Sequence, residues 1–305
     1  MPEIFIDGWQ GTTGLKIVQR LKERDDLKVV VLEGEERKSL FSRIAAIKKA
    51  DVTVLCLPDA AAKEIAEVAP ESARIIDAST AHRTDPEWVY GMPELGAEYR
   101  EKIAVANRVA NPGCHASGAI AILYPLIKSG VLAPESLLSV TSLTGYSGGG
   151  KSMIADYEQK GYAYSRAYQP MQTHKHLPEI CYVTGLKNAP VFLPVVEPFY
   201  SGMMVTVPIH TALLNGIGST DELKKLYSEF YNGTGVISVA EAYEGGFADA
   251  GRLHARDDMI VSVDGNTDRV TVTAIFDNLG KGASGACIQN MNIMLGIEER
   301  KGLVL

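Results

Sequence analysis

The first third of the chain alternates short apolar segments with segments of helical periodicity, and this alternation restricts the fold more than any other feature. The predicted strands are Glu3–Ile6, Lys28–Leu32, Val52–Leu55, Arg74–Asp77 and Ile103–Ala106, and the predicted helices include Leu40–Lys49 and Ala60–Ala69. Repeated strand–helix units place neighbouring strands in parallel within one sheet. The alternation therefore predicts an α/β fold with a Rossmann-type, doubly wound parallel sheet.

Glycines crowd the turn after the first strand, in the pattern GxxGxxG. Its candidate cofactor-binding residues are Gly8, Gly11, Thr12, Thr13 and Gly14. Glycines let the backbone approach a pyrophosphate, and the N–H groups at the start of the following helix favour its negative charge. The spacing departs from the commoner GxGxxG, so a plain glycine-rich turn is the alternative.

Charged residues follow the second predicted strand. Glu33 could hold a ribose 2′-hydroxyl, but Arg37 and Lys38 come soon after it. Cationic side chains at this position suit the 2′-phosphate of NADP. The segment therefore favours NADP over NAD, with Arg37 as the candidate contact and a solvated charged loop as the alternative.

The rest of the chain is richer in strands with alternating polarity. Predicted strands lie at Leu138–Thr144, Met203–Ile209, Met259–Val263 and Arg269–Phe276. Alternation of this kind is typical of an antiparallel sheet with one buried face. We expect two domains in 305 residues: residues 1–113, completed by a C-terminal helix in 281–305, and an α+β domain of residues 114–280 around a mixed, largely antiparallel sheet.

Cys114 follows a Pro-Gly turn and precedes an apolar helical segment, Ala116–Lys128. Unsatisfied N–H groups at a helix start favour the thiolate, which is the nucleophilic form of cysteine. Cys114 is therefore the candidate nucleophile, and a small buried hydrophobic residue is the alternative.

Gly145–Ser152 matches the pattern GxxxxGK[ST], which in a P-loop binds ATP or GTP. It lies in mid-chain, however, and no apolar strand ending in a clear magnesium-binding Asp follows within the usual distance. A glycine-rich loop can also hold a substrate phosphate through backbone N–H groups. The candidate phosphate-binding residues are Ser147, Gly148, Gly149 and Lys151, with a structural turn and an NTPase site as the alternatives.

Two imidazoles and a carboxylate fall within six residues, at His174, His176 and Glu179. Histidine is the natural proton carrier near neutral pH, so this cluster is the candidate acid/base group. The other histidines are isolated and are assigned no chemistry, with His115 as a second choice because it adjoins Cys114.

The net charge of −7 argues against nucleic acid and anionic membranes as partners. No apolar run is long enough to span a bilayer and the N-terminus lacks a signal-peptide pattern, so we expect a cytoplasmic protein. The four cysteines are widely separated and no His/Cys metal spacing occurs. Neither a disulfide framework nor a metal site is expected.

Several motifs occur in the order found in one enzyme family. They are the GxxGxxG turn, Asp77-Ala78-Ser79 followed by Arg83, Tyr90-Gly91-Met92-Pro93-Glu94, Asn111-Pro112-Gly113-Cys114, the loop Ser147–Lys151, HKHLPEI from His174, and Asn278-Leu279-Gly280-Lys281-Gly282. With them the chain resembles the short form of N-acetyl-gamma-glutamyl-phosphate reductase over nearly its whole length. Aspartate-semialdehyde dehydrogenase shares the architecture but carries its cysteine in a different local motif.

The resemblance implies NADPH-dependent reduction of N-acetyl-glutamyl 5-phosphate to N-acetylglutamate 5-semialdehyde and phosphate, a step of arginine biosynthesis that passes through a cysteine thioester. Cys114 matches the nucleophile and His174 the acid/base, which Glu179 would orient. Further positions are implied for cofactor binding, at Ser79, Asn278 and Lys281, and for the substrate, at Arg83 and His176.

The resemblance also implies a homodimer or homotetramer, with residues 1–113 as the NADP-binding domain and 114–280 as the catalytic and oligomerisation domain. Gly251–His254 departs from the Gly-Thr-Asn-Arg-like stretch of long-form members, which leaves the contacts to the substrate's acetyl and α-carboxylate groups open. Three other functions stay open: a related dehydrogenase acting on aspartate semialdehyde, a P-loop NTPase that needs Lys151, and a non-catalytic NADP-binding protein that tolerates loss of Cys114.

Overall fold

The computed structural model describes residues 1–240, 243 and 246–305, and the chain divides into two compact units. Unit 1 comprises Met1–Gly113 and Ala283–Leu303, and unit 2 comprises Cys114–Gly282 and Val304–Leu305. Within the described residues, no helix is long and apolar enough to cross a membrane.

Unit 1 is built on a six-stranded sheet in which every pair of neighbouring strands is parallel. The strands are β1 (Glu3–Asp7), β2 (Lys28–Val30), β3 (Val52–Leu55), β4 (Ile75–Asp77), β5 (Val89–Tyr90) and β6 (Arg108–Ala110), in the order β2-β1-β3-β4-β6-β5. The helices are α1 (Thr12–Lys22), α2 (Leu40–Lys49), α3 (Asp59–Val68), α4 (Ala97–Val105) and α9 (Gly285–Leu295). The prediction of a doubly wound parallel sheet is confirmed.

Helices cover both faces of this sheet, because successive strand residues point to opposite sides. Ile4 and Ile6 of β1 pack in one core cluster with residues of α1 and α9. Phe5 packs in a second cluster, which contains residues of α2 and α3. Burial on both faces explains why these strands are continuously apolar rather than alternating.

The predicted strand at Ile103–Ala106 is wrong. Residues 103–105 end α4, and the next strand is β6. Ile103 is fully buried whereas Val105 is 81% exposed, as expected when a helix turns only one side to the core. A short apolar run cannot distinguish a helix end from a strand by periodicity alone.

The described residues of unit 2 form a seven-stranded mixed sheet. The strands are β7 (Ser139–Gly145), β8 (Arg166–Ala167), β9 (Val191–Glu197), β10 (Met203–His210), β11 (Ile237–Val239), β12 (Met259–Gly265) and β13 (Arg269–Phe276), in the order β11-β12-β13-β10-β7-β9-β8. The pairs β11/β12 and β7/β9 are parallel and the others are antiparallel. The helices are α5 (Cys114–Lys128), α6 (Gly150–Lys160), α7 (His176–Thr184) and α8 (Thr220–Phe230). The mixed, largely antiparallel sheet was correctly predicted.

Helix α5 forms the centre of unit 2 and is buried from His115 to Leu126. Pro125 lies inside this helix and has no N–H to donate to the carbonyl of Ala121. The hydroxyl of Tyr231 donates to that carbonyl at 2.7 Å, so the acceptor that proline leaves open is satisfied. The helix can therefore continue through Pro125 and hold its first residue, Cys114, on a rigid element.

Candidate active site

The glycine-rich turn of unit 1 lies between β1 and α1. Gly8 has φ +76°, and a Cβ there would overlap the carbonyl oxygen of Cys56; a Cβ on Gly14 would lie 2.7 Å from Cα of Trp9. These two positions therefore need glycine for the packing of the turn itself. Gly11, the N-cap of α1, is different, because a Cβ there would meet nothing closer than 3.6 Å.

Two buried polar atoms near this turn lack hydrogen-bond partners among the described residues, Oγ1 of Thr12 and Nη2 of Arg43. Buried polar atoms without a partner are rare in native structures, so each one calls for an explanation. Thr12 is the first residue of α1, where a pyrophosphate would accept from the hydroxyl and the N–H groups.

Arg43, on α2, reaches the end of β1 and donates from Nε to the Asp7 carboxylate at 2.8 Å. Burial raises the pKa of Asp7, although the hydrogen bond and charge of Arg43 oppose this rise. Both residues line a pocket of about 180 Å³ together with Gly8, Trp9, Gln10, Arg37, Lys38 and Leu57. The pocket thus joins the glycine turn to a cluster of cations.

Arg37 lies in the 3-10 turn Glu36–Lys38 between β2 and α2. Its Nη1 donates to Oε1 of Gln10 at 2.5 Å, which fixes the guanidinium near the glycine turn. The structure therefore brings together the predicted cofactor residues of the turn and the predicted 2′-phosphate contact. Thr13 follows Thr12 in the first turn of α1.

Ser79 and Arg83 follow β4 in unit 1. The Ser79 hydroxyl donates to the buried Asp77 carboxylate at 2.7 Å, and Nδ1 of His82 lies 2.7 Å from the same oxygen. Buried Arg83 donates to the carbonyl oxygens of Asn111 at 2.9 Å and Ala78 at 3.1 Å. Arg83 thus braces the segment that leads into Cys114, and its predicted role in phosphate binding stays a prediction.

The Cys114 thiol is partly exposed and lies at the first position of α5. The π-helical turn Gly280–Ser284 packs against it, since a Cβ on Gly282 would lie 2.9 Å from Cβ of Cys114. Within unit 2, the Asn278 amide donates to Oγ of Ser147 at 3.0 Å and accepts from N–H of Gly202 at 2.9 Å. Lys281 is 2% exposed in the same turn.

Tyr168 joins two of the histidines of unit 2. Its hydroxyl lies 2.7 Å from Nε2 of His115 and 3.4 Å from Nε2 of His174. Nδ1 of His115 lies 2.6 Å from Oγ of Ser142. The charge of a Cys114 thiolate also reaches Tyr168. Cys114, Tyr168 and His174 therefore belong to one electrostatically connected cluster, which we call the histidine cluster together with His115 and His176.

The main chain of His176 fixes the proton positions in this cluster. Its N–H donates to Nδ1 of His174 at 3.2 Å, so a neutral His174 carries its proton on Nε2. That proton then points to the Tyr168 oxygen, and the phenol hydrogen is left for Nε2 of His115. Nδ1–H of His115 in turn donates to Ser142.

Both imidazoles are neutral at pH 7. Burial, with a smaller effect of the Lys175 charge, lowers the pKa of His174 to about 4. Burial, followed by the charges of His174 and Lys175, lowers the pKa of His115 to about 3. Burial raises the pKa of Tyr168 well above its usual value, and the Cys114 thiolate adds to this rise, so the phenol keeps its proton.

His176 and Glu179 are buried in the first turn of α7. The His176 ring packs edge-on against His174, with 4.7 Å between centroids, and lies 5.5 Å from His115. The Tyr168 hydroxyl and the His176 N–H already fix both nitrogens of His174. The orienting role of Glu179 stays a prediction.

The glycine-rich loop of unit 2 forms a 3-10 turn, Tyr146–Gly149, that leads into α6. The N–H groups of Gly145, Tyr146 and Ser147 donate to carbonyl oxygens of residues 199–202. A P-loop instead turns its successive N–H groups toward one phosphate. Lys151 is exposed, and the phosphate-binding role of Ser147, Gly148, Gly149 and Lys151 stays a prediction.

Sequence reasoning did not find Tyr168 and gave His115 only second place. His115 had one local signal, its position beside Cys114. Tyr168 had none, because its N–H pairs with Pro194 across the sheet and only the folded chain brings its hydroxyl to the histidines. No group of three or more His, Cys, Asp or Glu suited to a metal ion occurs among residues 1–240, 243 and 246–305.

Known proteins resemble this chain along its whole length. A family model described as semialdehyde dehydrogenase, NAD binding domain, matches residues 3–105, and one described as semialdehyde dehydrogenase, dimerisation domain, matches residues 114–278. N-acetyl-gamma-glutamyl-phosphate reductase 2 of Pseudomonas putida is 42% identical over 310 residues, which cover 99% of each chain. The chain belongs to the N-acetyl-gamma-glutamyl-phosphate reductase family. A second reductase, from Brucella ovis, is 43% identical over 97% of this chain and 99% of its own.

Solved structures similar to this reductase-family chain share its fold. Aspartate semialdehyde dehydrogenase II of Vibrio cholerae, complexed with ASA, has a TM-score of 0.74 at 16% identity and covers 97% of this chain and 98% of its own. Aspartate semialdehyde dehydrogenase of Candida albicans, solved with NADP, has a TM-score of 0.69 at 14% identity with the same two coverages. At these identities the likeness concerns the fold alone.

Proposed function

We propose that this chain catalyses the NADPH-dependent reduction of N-acetyl-glutamyl 5-phosphate to N-acetylglutamate 5-semialdehyde and phosphate, a step of arginine biosynthesis, as a cytoplasmic homo-oligomer. The observation that carries the proposal is Cys114 at the start of a buried helix whose next residue, His115, shares the Tyr168 hydroxyl with a neutral His174. The names of the reductase relatives support the choice of substrate.

We assign NADP rather than NAD to unit 1. Residues 8–14 offer a glycine turn and the buried hydroxyl of Thr12, and the pocket between β1 and α2 offers Arg37, Lys38 and the unpartnered Nη2 of Arg43. These donors suit a pyrophosphate and a 2′-phosphate respectively. Bound NADPH would supply the hydride. An Arg37→Ala variant tests the assignment, because equal loss of affinity for NADPH and NADH, or no loss, contradicts it.

The Cys114 thiolate attacks the acyl carbon, the carbon–oxygen bond to phosphate breaks, and a thioester forms. Hydride addition turns the thioester carbonyl into an oxyanion. Nε2–H of neutral His174 turns from its long, 3.4 Å contact with the Tyr168 oxygen and donates a hydrogen bond to this oxyanion. The oxyanion then collapses, breaks the carbon–sulfur bond and releases the aldehyde and the thiolate. A neutral donor suffices because the collapse requires no net protonation. The leaving phosphate is assigned to Gly148, Gly149 and Lys151.

The test is reduction of NADP⁺ by the purified protein with N-acetylglutamate 5-semialdehyde, with and without phosphate. We expect phosphate-dependent turnover, which Cys114→Ala abolishes while NADPH binding persists. His174→Asn should lower kcat by about two to four powers of ten. A larger loss in His176→Asn would move the role to that residue.

Aspartate semialdehyde is the comparison substrate, because the solved structures with a similar fold are named aspartate semialdehyde dehydrogenases. Activity confined to aspartate semialdehyde would keep the mechanism and change the substrate. Light scattering on the same preparation tests the homo-oligomer, and a monomer at assay concentration would contradict it.

A further inference from the structure

A pocket of about 440 Å³ opens in unit 2 beside the histidine cluster. Tyr168 lines it, and the hydroxyl of the same residue bonds to His115 and His174. A molecule that reacts at Cys114 and extends past Tyr168 would therefore enter this pocket. Of its lining residues, only Gly149 takes part in the reaction steps, as part of the loop assigned to the leaving phosphate.

The pocket contains an arginine whose charge is only weakly neutralised. Arg166 stacks on Tyr162, with its guanidinium carbon 3.8 Å from the ring centroid. Its one ion pair within the described part of the chain joins Nη1 to Oδ2 of Asp156 at 3.9 Å, while Lys160 binds the other oxygen of Asp156 at 2.6 Å. Asp156 is thus shared between two cations, and the group keeps a net positive charge. Stacking holds the guanidinium plane in place and leaves its N–H groups for a carboxylate.

A buried phenol in the same pocket needs a partner. Tyr157 lines the pocket and is 5% exposed, and its hydroxyl has no hydrogen-bond partner within the described residues. A buried hydroxyl without a partner costs free energy, which a ligand carbonyl that accepts from it would recover. Met153 and Val196 add apolar surface to the lining. An anion site, a hydroxyl donor and an apolar patch are what an N-acetylated amino acid requires.

We propose that this pocket binds the N-acetylamino-acid end of the substrate, with Arg166 holding the α-carboxylate and the Tyr157 hydroxyl donating to the acetamido carbonyl. The proposal rests on the proposed function and assigns the contacts that decide which aldehyde is accepted. Neither residue takes part in bond making, so both act on specificity.

The experiment compares three aldehydes in the NADP⁺-reducing direction. They are N-acetylglutamate 5-semialdehyde, 4-acetamidobutanal, which lacks the carboxylate, and 5-oxopentanoate, which lacks the acetamido group. Arg166→Met should lower kcat/KM for the full aldehyde about 10- to 100-fold and leave 4-acetamidobutanal nearly unchanged. Tyr157→Phe should lower the preference for the full aldehyde over 5-oxopentanoate about 3- to 10-fold. These ratios do not depend on how much of a variant is folded.

Lys160→Met is the matched control, because it removes a charge from the same group at a residue that does not line the pocket. We expect it to leave the ratio of the full aldehyde to 4-acetamidobutanal unchanged. An Arg166→Met enzyme that loses both aldehydes equally would overturn the carboxylate assignment. A rise in the KM for phosphate alone would overturn it too, by placing the leaving phosphate at Arg166. A wild-type protein inactive with the full aldehyde would overturn the proposed function and this assignment with it.

Discussion

Tyr168→Phe should disturb the alignment of the protons in the histidine cluster while keeping the aromatic ring. The substitution removes the hydroxyl that lies 2.7 Å from His115 and 3.4 Å from His174. His115 is 3% exposed, so its Nε2 would remain buried without a donor. We expect a loss of about 1–3 kcal/mol in the free energy of unfolding, the usual penalty for an unsatisfied buried group. The longer contact to His174 contributes less.

The same change should lower kcat about 10- to 100-fold, because Nε2–H of His174 loses the acceptor that orients it. The KM for NADPH should stay constant, since Tyr168 is not among the residues predicted to bind the cofactor. Steady-state kinetics and urea unfolding measure the two effects. Tyr164→Phe is the matched control, because that side chain is 83% exposed. A Tyr168→Phe enzyme within about twofold of the wild-type kcat would refute this account of His174.

Arg43→Met should lower the preference for NADPH over NADH about 10- to 100-fold, measured as a ratio of kcat/KM values, and an unchanged ratio would assign the 2′-phosphate to other groups. Gly11→Ala should fold normally but bind NADPH more weakly, whereas Gly8→Ala should also lower the melting temperature, because only its Cβ overlaps backbone; equal melting temperatures would contradict the packing role of Gly8. Unfolded histidines take up protons near pH 6.5, but His174 resists protonation until about pH 4. Below pH 6.5 the unfolded state therefore binds more protons than the folded state. As the pH falls from 6.5 toward 4, the free energy of unfolding should decrease by about 1.4 kcal/mol per pH unit from this residue alone. Urea titrations at several pH values test this, and a His174→Gln variant with the same slope as wild type would disprove it.

The elements that sequence reasoning located well are those whose signals are local. The predicted helix Leu40–Lys49 and strand Val52–Leu55 have the bounds found in the structure. Ser39 caps that helix by accepting from N–H of Ser42, and the strand is buried along its length. The strand predicted at Ile103–Ala106 was wrong because a run of four apolar residues shows neither helical nor strand periodicity. Strand β5, Val89–Tyr90, was missed because two residues carry no pattern at all.

The candidate site divides in the same way. Cys114 has a local signature, a turn followed by an apolar helix, and His174 has a histidine neighbour and a carboxylate within a few residues. Tyr168, Tyr157 and Arg166 have none. Arg166 and Tyr168 are placed by the two-residue strand β8, which pairs with β9 at the edge of the mixed sheet, whereas Tyr157 lies on α6. A pairing of that length depends on tertiary packing, so the residues it positions could not be assigned from the sequence.

The neutrality of the imidazoles also decides where the anionic ends of the substrate can bind. Three histidine rings lie within 5.5 Å of one another, and charging a second ring beside a first would be opposed by both repulsion and burial. His115 and His174 therefore offer hydrogen bonds to a developing oxyanion but no positive charge to a carboxylate. A substrate with a carboxylate at one end and a phosphate at the other must take its counter-charges from elsewhere in the chain. In unit 2, Arg166 is the cation that lines the pocket beside Tyr168, so removing its charge should affect selectivity for the carboxylate far more than removing any of the histidines.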